Sequence, residues 1–244
     1  MLVLEPVVFV VLVAFLGVVA GAVTTVAGMG GGLVLLAALA ALEGPHTALA
    51  WTAPALMLGN LHRVGLYRRH VDWRAAGWIA LGAVPAAFVA GLVATRLPAW
   101  VLAAALLAVG GLGLAKVAGW LRWTPSVRAT VPMGALSGVL IASGGGAGVV
   151  MGPTLLARGL RGTPYIATMA SLAVALHATR LAAYGAGGLA DGQTLLVGGL
   201  IAGCIAAGNR VGDRLRRRVG EAWQDRAQVG ALVLCMGLAV GALV

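Results

Sequence analysis

The chain has 244 residues, is 61% hydrophobic and 10% charged, and carries a formal net charge of +10, with a mean hydropathy of +0.99. A soluble domain has about a quarter of its residues charged, so this composition excludes one and places the whole chain in a bilayer as a single integral membrane unit. The charge does not mark a nucleic-acid binder, because the basic residues lie in short loops between apolar runs, where they set orientation, with almost no aromatic interleaving.

The first apolar run is Pro6–Thr25, and its start lacks the positive region of a signal peptide, so it reads as part of the mature protein. It ends at Gly28-Met29-Gly30-Gly31-Gly32. Each Gly in a helix interior costs about 1 kcal/mol relative to Ala, so this run predicts a broken helix. A short segment follows over Gly32–Leu42, too short to cross a membrane alone. Longer segments are predicted over Thr47–Tyr67, Ala75–Thr95 and Ala99–Gly119, joined through Arg68–Arg74 and the Arg96-Leu97-Pro98 turn. Trp120–Arg128 is the most polar linker in the middle of the chain.

The pattern then returns: Ala129–Ser143, a second break at Gly144-Gly145-Gly146-Ala147-Gly148, a short Val149–Ala157, then Tyr165–Tyr184, Gly192–Asn209, a basic loop over Arg210–Arg226, and Ala227–Val244. Gly28/Gly144 and Gly32/Gly148 are 116 apart, Arg63/Arg180 and Tyr67/Tyr184 are 117 apart, and Pro45/Pro164, Thr52/Ser171 and Asp72/Asp191 are 119 apart. Their shared order predicts two repeats, residues 1–123 and 124–244, of the kind found in transporters. Cys204 and Cys235 sit in apolar runs without a CxxC or His partner and read as small buried hydrophobes. No metal or cofactor is expected.

These residues resemble the TauE/SafE family of sulfite and sulfonate exporters over nearly the whole chain. The resemblance is carried by the two glycine runs, the second followed by Pro153, and by Gly44-Pro45, Thr52 and Val71-Asp72-Trp73-Arg74. Thr163-Pro164, Ser171 and Leu189-Ala190-Asp191 repeat the second set. Ala37, where Val-Pro is usual, and Ala147 inside the second glycine run depart from the pattern. The resemblance implies a permease in the plasma (inner) membrane, multi-pass, moving sulfite or an organosulfonate.

The family is usually read as four plus four spans with parallel halves. That arrangement puts eight Lys/Arg on one side and nine on the other. If each glycine-broken unit is instead a hairpin, the halves become inverted, and only Arg96 and Arg180 separate from the other fifteen. The positive-inside rule prefers this second topology. The expected fold is therefore all-α, two inverted repeats, each a Gly-broken hairpin plus three spanning helices. Both termini, Glu5, Glu43 and Asp191 fall outside.

At each break the following helix starts with unpaired N–H groups and a positive dipole end, which suits an anion. The expected substrate contacts are Gly28, Gly30, Gly31, Gly32, Gly144, Gly145, Gly146 and Gly148, with Thr24, Thr25, Thr52, Asn60, Ser143, Ser171 and Thr179 as hydrogen-bonding side chains. The competing reading is that the glycines only permit tight packing and that each Ser or Thr bonds its own helix. Gly82, Gly91, Gly203, Gly208 and Gly212 read as packing positions. His62, Arg63, His177 and Arg180 read as pathway or proton-coupling residues near the mouths, or, for the arginines, as chains snorkelling to the interfaces. The tryptophans read as interface anchors and Arg214–Arg218 as a topology determinant in contact with membrane lipids.

The function expected is secondary transport of a small anion by alternating access, with proton coupling and a homo-oligomer left open. A passive anion channel is the alternative. An intramembrane enzyme is disfavoured, since acidic residues are few and no nucleophile set is evident.

Overall fold

The computed structural model describes residues 5–28, 30–120, 125–218, 229–230, 233–238 and 240. Its main elements are all α-helices: α1 Pro6–Ala27, α2 Gly31–Glu43, α3 Pro45–Tyr67, α4 Trp73–Ala94, α5 Ala99–Val117, α6 Thr130–Gly144, α7 Gly148–Ala157, α8 Gly162–Ala186 and α9 Gly192–Arg216. Six helical stretches among the described residues are long and apolar enough to cross a membrane; α2 and α7 are the short apolar helices. Trp123, Trp223, Arg122 and Arg226 lie outside the described residues.

Local chemistry sets the helix ends. Pro6 and Pro45 open α1 and α3 at positions where a missing N–H costs nothing. Asp72 caps α4 by accepting from Ala75 N at 2.9 Å, and Asp191 with Thr194 forms a capping box on α9. The expected end of the last such helix at Asn209 is too early. Helix α9 continues through the basic run to Arg216, since Arg is a good helix former and Asp213 pairs with Arg217 at 2.9 Å.

Close contacts give the directions. Gly17 lies against Cys204, Gly21 against Ile205 and Gly212 against Thr25, so α1 and α9 run parallel. Gly198 meets Pro54, Gly59 meets Ile205 and Tyr67 donates to Asp213, so α3 runs with them. Gly134 faces Ile79, Gly138 faces Ala83, and Gly91 faces Ala183, while Asp72 N donates to Thr168. Helices α4, α6 and α8 therefore share a direction. Arg180 reaches Leu49 and Thr52, whereas Tyr67 clusters with Ile166 at the other end of α8, so α3 and α8 are antiparallel.

The α1/α9 and α4/α6 pairs pack backbone to backbone. A Cβ on Gly208 would stand 2.0 Å from Val18 O, and one on Gly82 2.0 Å from Val131 O. The small-xxx-small spacings Gly17…Gly21, Gly134…Gly138 and Gly208…Gly212 are the sequence form of this approach. Gly82, Gly91, Gly208 and Gly212 do pack as expected, but a Cβ at Gly203 meets open space; that residue faces outward.

One face of the bundle holds the start of α3, where His46 Nε2 lies 3.0 Å from Leu97 O, and the start of α9, since His46 and Asp191 line one pocket. The opposite face holds Arg158, which donates to Thr130 at 3.2 Å, and Arg216 beside Thr163 at 3.4 Å. Arg96 is the one described Lys or Arg on the first face. Arg63 and Arg180 are buried, 2% and 0% exposed, so neither snorkels to an interface. Outward-facing Phe15, Leu81, Val89 and Leu200 give the bundle an apolar exterior.

Candidate functional site

Both glycine runs break their helices. Helix α1 ends at Gly28 in the left-handed conformation (φ 78°), and Gly30 has φ 100° before α2 begins. Helix α6 ends in the same way at Gly145 (φ 71°) before α7 begins at Gly148. Only Gly adopts these angles at little cost. The matching caps are thus Gly28 and Gly145, one residue later in the second run than the sequence pairing with Gly144.

The two breaks meet in one cavity of about 70 Å³, beside the middle of α3 and α8. The first half contributes Thr24, Gly28, Gly30, Gly32, Leu33, Leu56, Asn60 and Arg63. The second contributes Ile141, Gly145, Gly146, Ala147, Gly148, Met151, Met169, Ala173 and His177. That volume is room for several waters or for one small polyatomic ion. Helices α2 and α7 both start at this cavity, so two sets of first-turn N–H groups and two positive dipole ends converge on it. None of its lining residues among those described is acidic.

Two arginines hold the breaks. Arg63 donates from Nη1 to Thr24 O at 2.8 Å and from Nη2 to Asn60 Oδ1 at 2.7 Å. Arg180 donates from Nη1 to Ile141 O at 3.2 Å and from Nη2 to Leu49 O and Thr52 Oγ1, both at 2.8 Å. Thr24 and Ile141 each lie three residues before the end of their helix. Each arginine therefore meets the negative end of the broken helix 39 residues upstream. Tyr184 adds a bond to Ala142 O at 2.6 Å. Effective burial of an ion costs several kcal/mol; these carbonyls and helix ends are what offset it. Three buried side-chain nitrogens are without a partner among the described residues: Arg63 Nε, Arg180 Nε and His177 Nδ1.

Of the residues expected to touch substrate, the cavity brings together Thr24, Gly28, Gly30, Gly32, Asn60, Gly145, Gly146 and Gly148, with Arg63 and His177. Others lie outside it. Thr25 donates to Asn209 at 2.9 Å and ties α1 to α9. Gly31 is pressed on Ala20 O and Gly144 on Ala105 O. Thr52 serves Arg180, and Ser143, Ser171 and Thr179 bond carbonyls of their own helices. His62 lies toward Asn209, 3.4 Å from its amide. Asn209 itself, 1% exposed and donating to Gly59 O at 2.8 Å, is a polar keystone the sequence reading passed over, although an Asn inside an apolar run is a signal. The apolar lining of Leu56, Met151 and Met169 carried no signal of its own.

A family model described as Sulfite exporter TauE/SafE matches residues 13–240. No curated protein and no solved structure was found to match the chain.

Proposed function

The chain belongs to the TauE/SafE sulfite exporter family and is a multi-pass membrane transporter, not an enzyme, and from that premise we propose that it carries a small anion, a sulfur oxyanion or organosulfonate, by alternating access. The substrate binds where the two glycine breaks meet. One observation supports this reading above the rest: both breaks, a buried guanidinium and a buried imidazole line a single cavity without a carboxylate. Convergent N–H groups and helix dipoles favour negative charge, and walls of Leu, Ile and Met keep the local dielectric low, so the attraction is stronger than in water. His177, with Nδ1 free, is the group placed to take a proton alongside the anion.

The two repeats, 1–123 and 124–244, are related by inversion in this reading. Support comes from the opposed directions of α1 and α6, of α3 and α8, and of α4 and α9. The arginine-rich face is cytoplasmic, and both termini lie outside, in the inner membrane. Inverted halves meeting at a central site are the usual architecture for rocking between two access states.

Counterflow in proteoliposomes, using sulfite, sulfate, thiosulfate, sulfoacetate and taurine, tests the substrate class. Saturable exchange of the sulfur oxyanions is expected. Conductance at high turnover without counterflow would identify a passive channel instead, and a cytoplasmic signal from a C-terminal reporter would rule out the topology.

A further inference from the structure

Arg63 and Arg180 occupy matching places, each bonded to the carbonyl 39 residues before it, yet their remaining donors go to different ends. Arg180 Nη2 crosses to the other half and is bound by both Leu49 O and Thr52 Oγ1. It is fully buried and does not line the cavity. Arg63 stays within its own half: Nη2 meets Asn60, Nε has no partner, and both Arg63 and Asn60 line the cavity.

Register explains the difference. Counting from Arg63 and Arg180 along the uninterrupted helices α3 and α8, Thr52 falls opposite Met169, not Ser171, and Asn60 falls opposite His177. Met169 offers no hydroxyl acceptor, so α8 lacks the counterpart of the Thr52 oxygen that holds Arg180. Arg180 makes three bonds to protein and Arg63 two. Nε has no partner among the described residues in either, but only Arg63 lines the cavity, so only its spare donors face it.

We infer that Arg63 is the cationic contact of the transported anion, with Asn60 beside it and His177 on the opposing wall, whereas Arg180 is a positioning residue that holds the α6 break to α3. This rests on the anion reading above. The substrate therefore sits off-centre, toward the first half. A guanidinium already fixed by two carbonyl-side bonds meets an oxyanion with little loss of rotamer freedom.

The test is thermal melting of purified protein with rising sulfite, alongside liposome flux, for wild type, Arg63→Gln, Arg63→Lys and Arg180→Lys. A ligand that binds the folded state raises Tm in a concentration-dependent way. Wild type is expected to be stabilised. Arg63→Gln is expected to lose that shift, and to melt below wild type without ligand because Thr24 O and Asn60 Oδ1 lose their donor. Arg63→Lys keeps the charge but not the fork, and its sulfite midpoint is expected to move at least about tenfold higher. Should Arg63→Gln fail to fold, that midpoint decides. Arg180→Lys is expected to melt lower without ligand yet keep the wild-type sulfite midpoint. An unchanged midpoint in both Arg63 variants that fold, or a lost sulfite response in Arg180→Lys at unchanged Tm, overturns the assignment and leaves the anion reading standing. If no sulfur oxyanion shifts wild type or is carried by it, both fail.

Discussion

The two helix breaks are built on one plan and braced differently. At the first, a Cβ on Gly28 would meet the Tyr165 ring and one on Gly32 would stand 3.1 Å from Leu56 Cδ1, a cavity residue. At the second, a Cβ on Gly144 or Gly146 would meet Ala105 or Val109 of α5, and both Arg180 and Tyr184 hold carbonyls at the end of α6. Tyr67, the counterpart of Tyr184, turns away to Asp213 on α9. The second break is therefore anchored to its surroundings, while the first keeps its guanidinium and its small residues at the cavity. Equivalent motifs in two halves of a chain need not do equal chemistry.

Substitutions at the first break carry the largest expected effect. A Cβ on Gly31 would lie 2.0 Å from Ala20 O and 2.3 Å from Thr24 Oγ1. The backbone contact cannot yield by a rotamer change, so Gly31→Ala forces α1 and α2 apart. Overpacking of this kind costs about 1–3 kcal/mol or more, and Gly31→Ala is expected to show a lowered Tm and no flux. Gly32→Ala, one residue on, meets only the flexible end of Leu56. It should fold normally and raise KM by narrowing the cavity. Equal Tm losses in the two variants would show that the break is a packing device throughout.

Thr52→Val comes next and probes the braced side. It leaves Arg180 with Leu49 O and Ile141 O but removes one acceptor from a buried charge, at about 1–3 kcal/mol. Stability measured by denaturant or heat should fall, with KM for sulfite unchanged in the folded fraction. A raised KM without a stability loss would move Arg180 and Thr52 into the substrate site.

What the sequence made legible divides along the same line. Helix starts and breaks were readable because Pro6, Pro45, Gly28 and Gly145 act on backbone angles locally. Loop charge favours opposed halves, since loop arginines respond to the membrane face alone, and that topology is part of the proposal above. The fate of intramembrane polar residues was not readable. Thr24 and Thr25 differ by one position, about 100° around a helix, yet one lines the cavity and the other bonds Asn209 from α9. The arginines resemble snorkelling chains in sequence because the carbonyls that hold them are supplied by other helices. The offset of 117 between Arg63 and Arg180 already sets Asn60 opposite His177, a correspondence hidden by the difference in residue type.

That correspondence can be made uniform with His177→Asn, which gives the second half the amide of the first. The fold should tolerate it, since His177 Nδ1 contributes no bond among the described residues. Anion exchange should persist within a few fold. Anion-driven proton movement, read by a pH dye inside liposomes, should disappear. Proton movement undiminished in His177→Asn would place coupling elsewhere.

The smallest effect belongs to the caps that begin the fourth helix of each half, Asp72 on α4 and Asp191 on α9. At Asp191 the Thr194 N–H and then the Thr194 hydroxyl hold the carboxyl below its ordinary pKa. A carboxylate whose folded pKa is depressed adds stability above its unfolded pKa, about 3.9, and loses that contribution as pH falls through the folded value. Asp191→Ala should therefore melt slightly below wild type at neutral pH, with the gap constant down to about pH 5. Below about pH 4 the gap should start to narrow, and the two melting curves should converge once pH has fallen below the depressed folded pKa, where the wild-type cap is protonated. The carboxylate is exposed on the loop before α9, so added salt should shrink the gap at neutral pH, whereas the backbone contacts at Gly31 should not respond to salt at all.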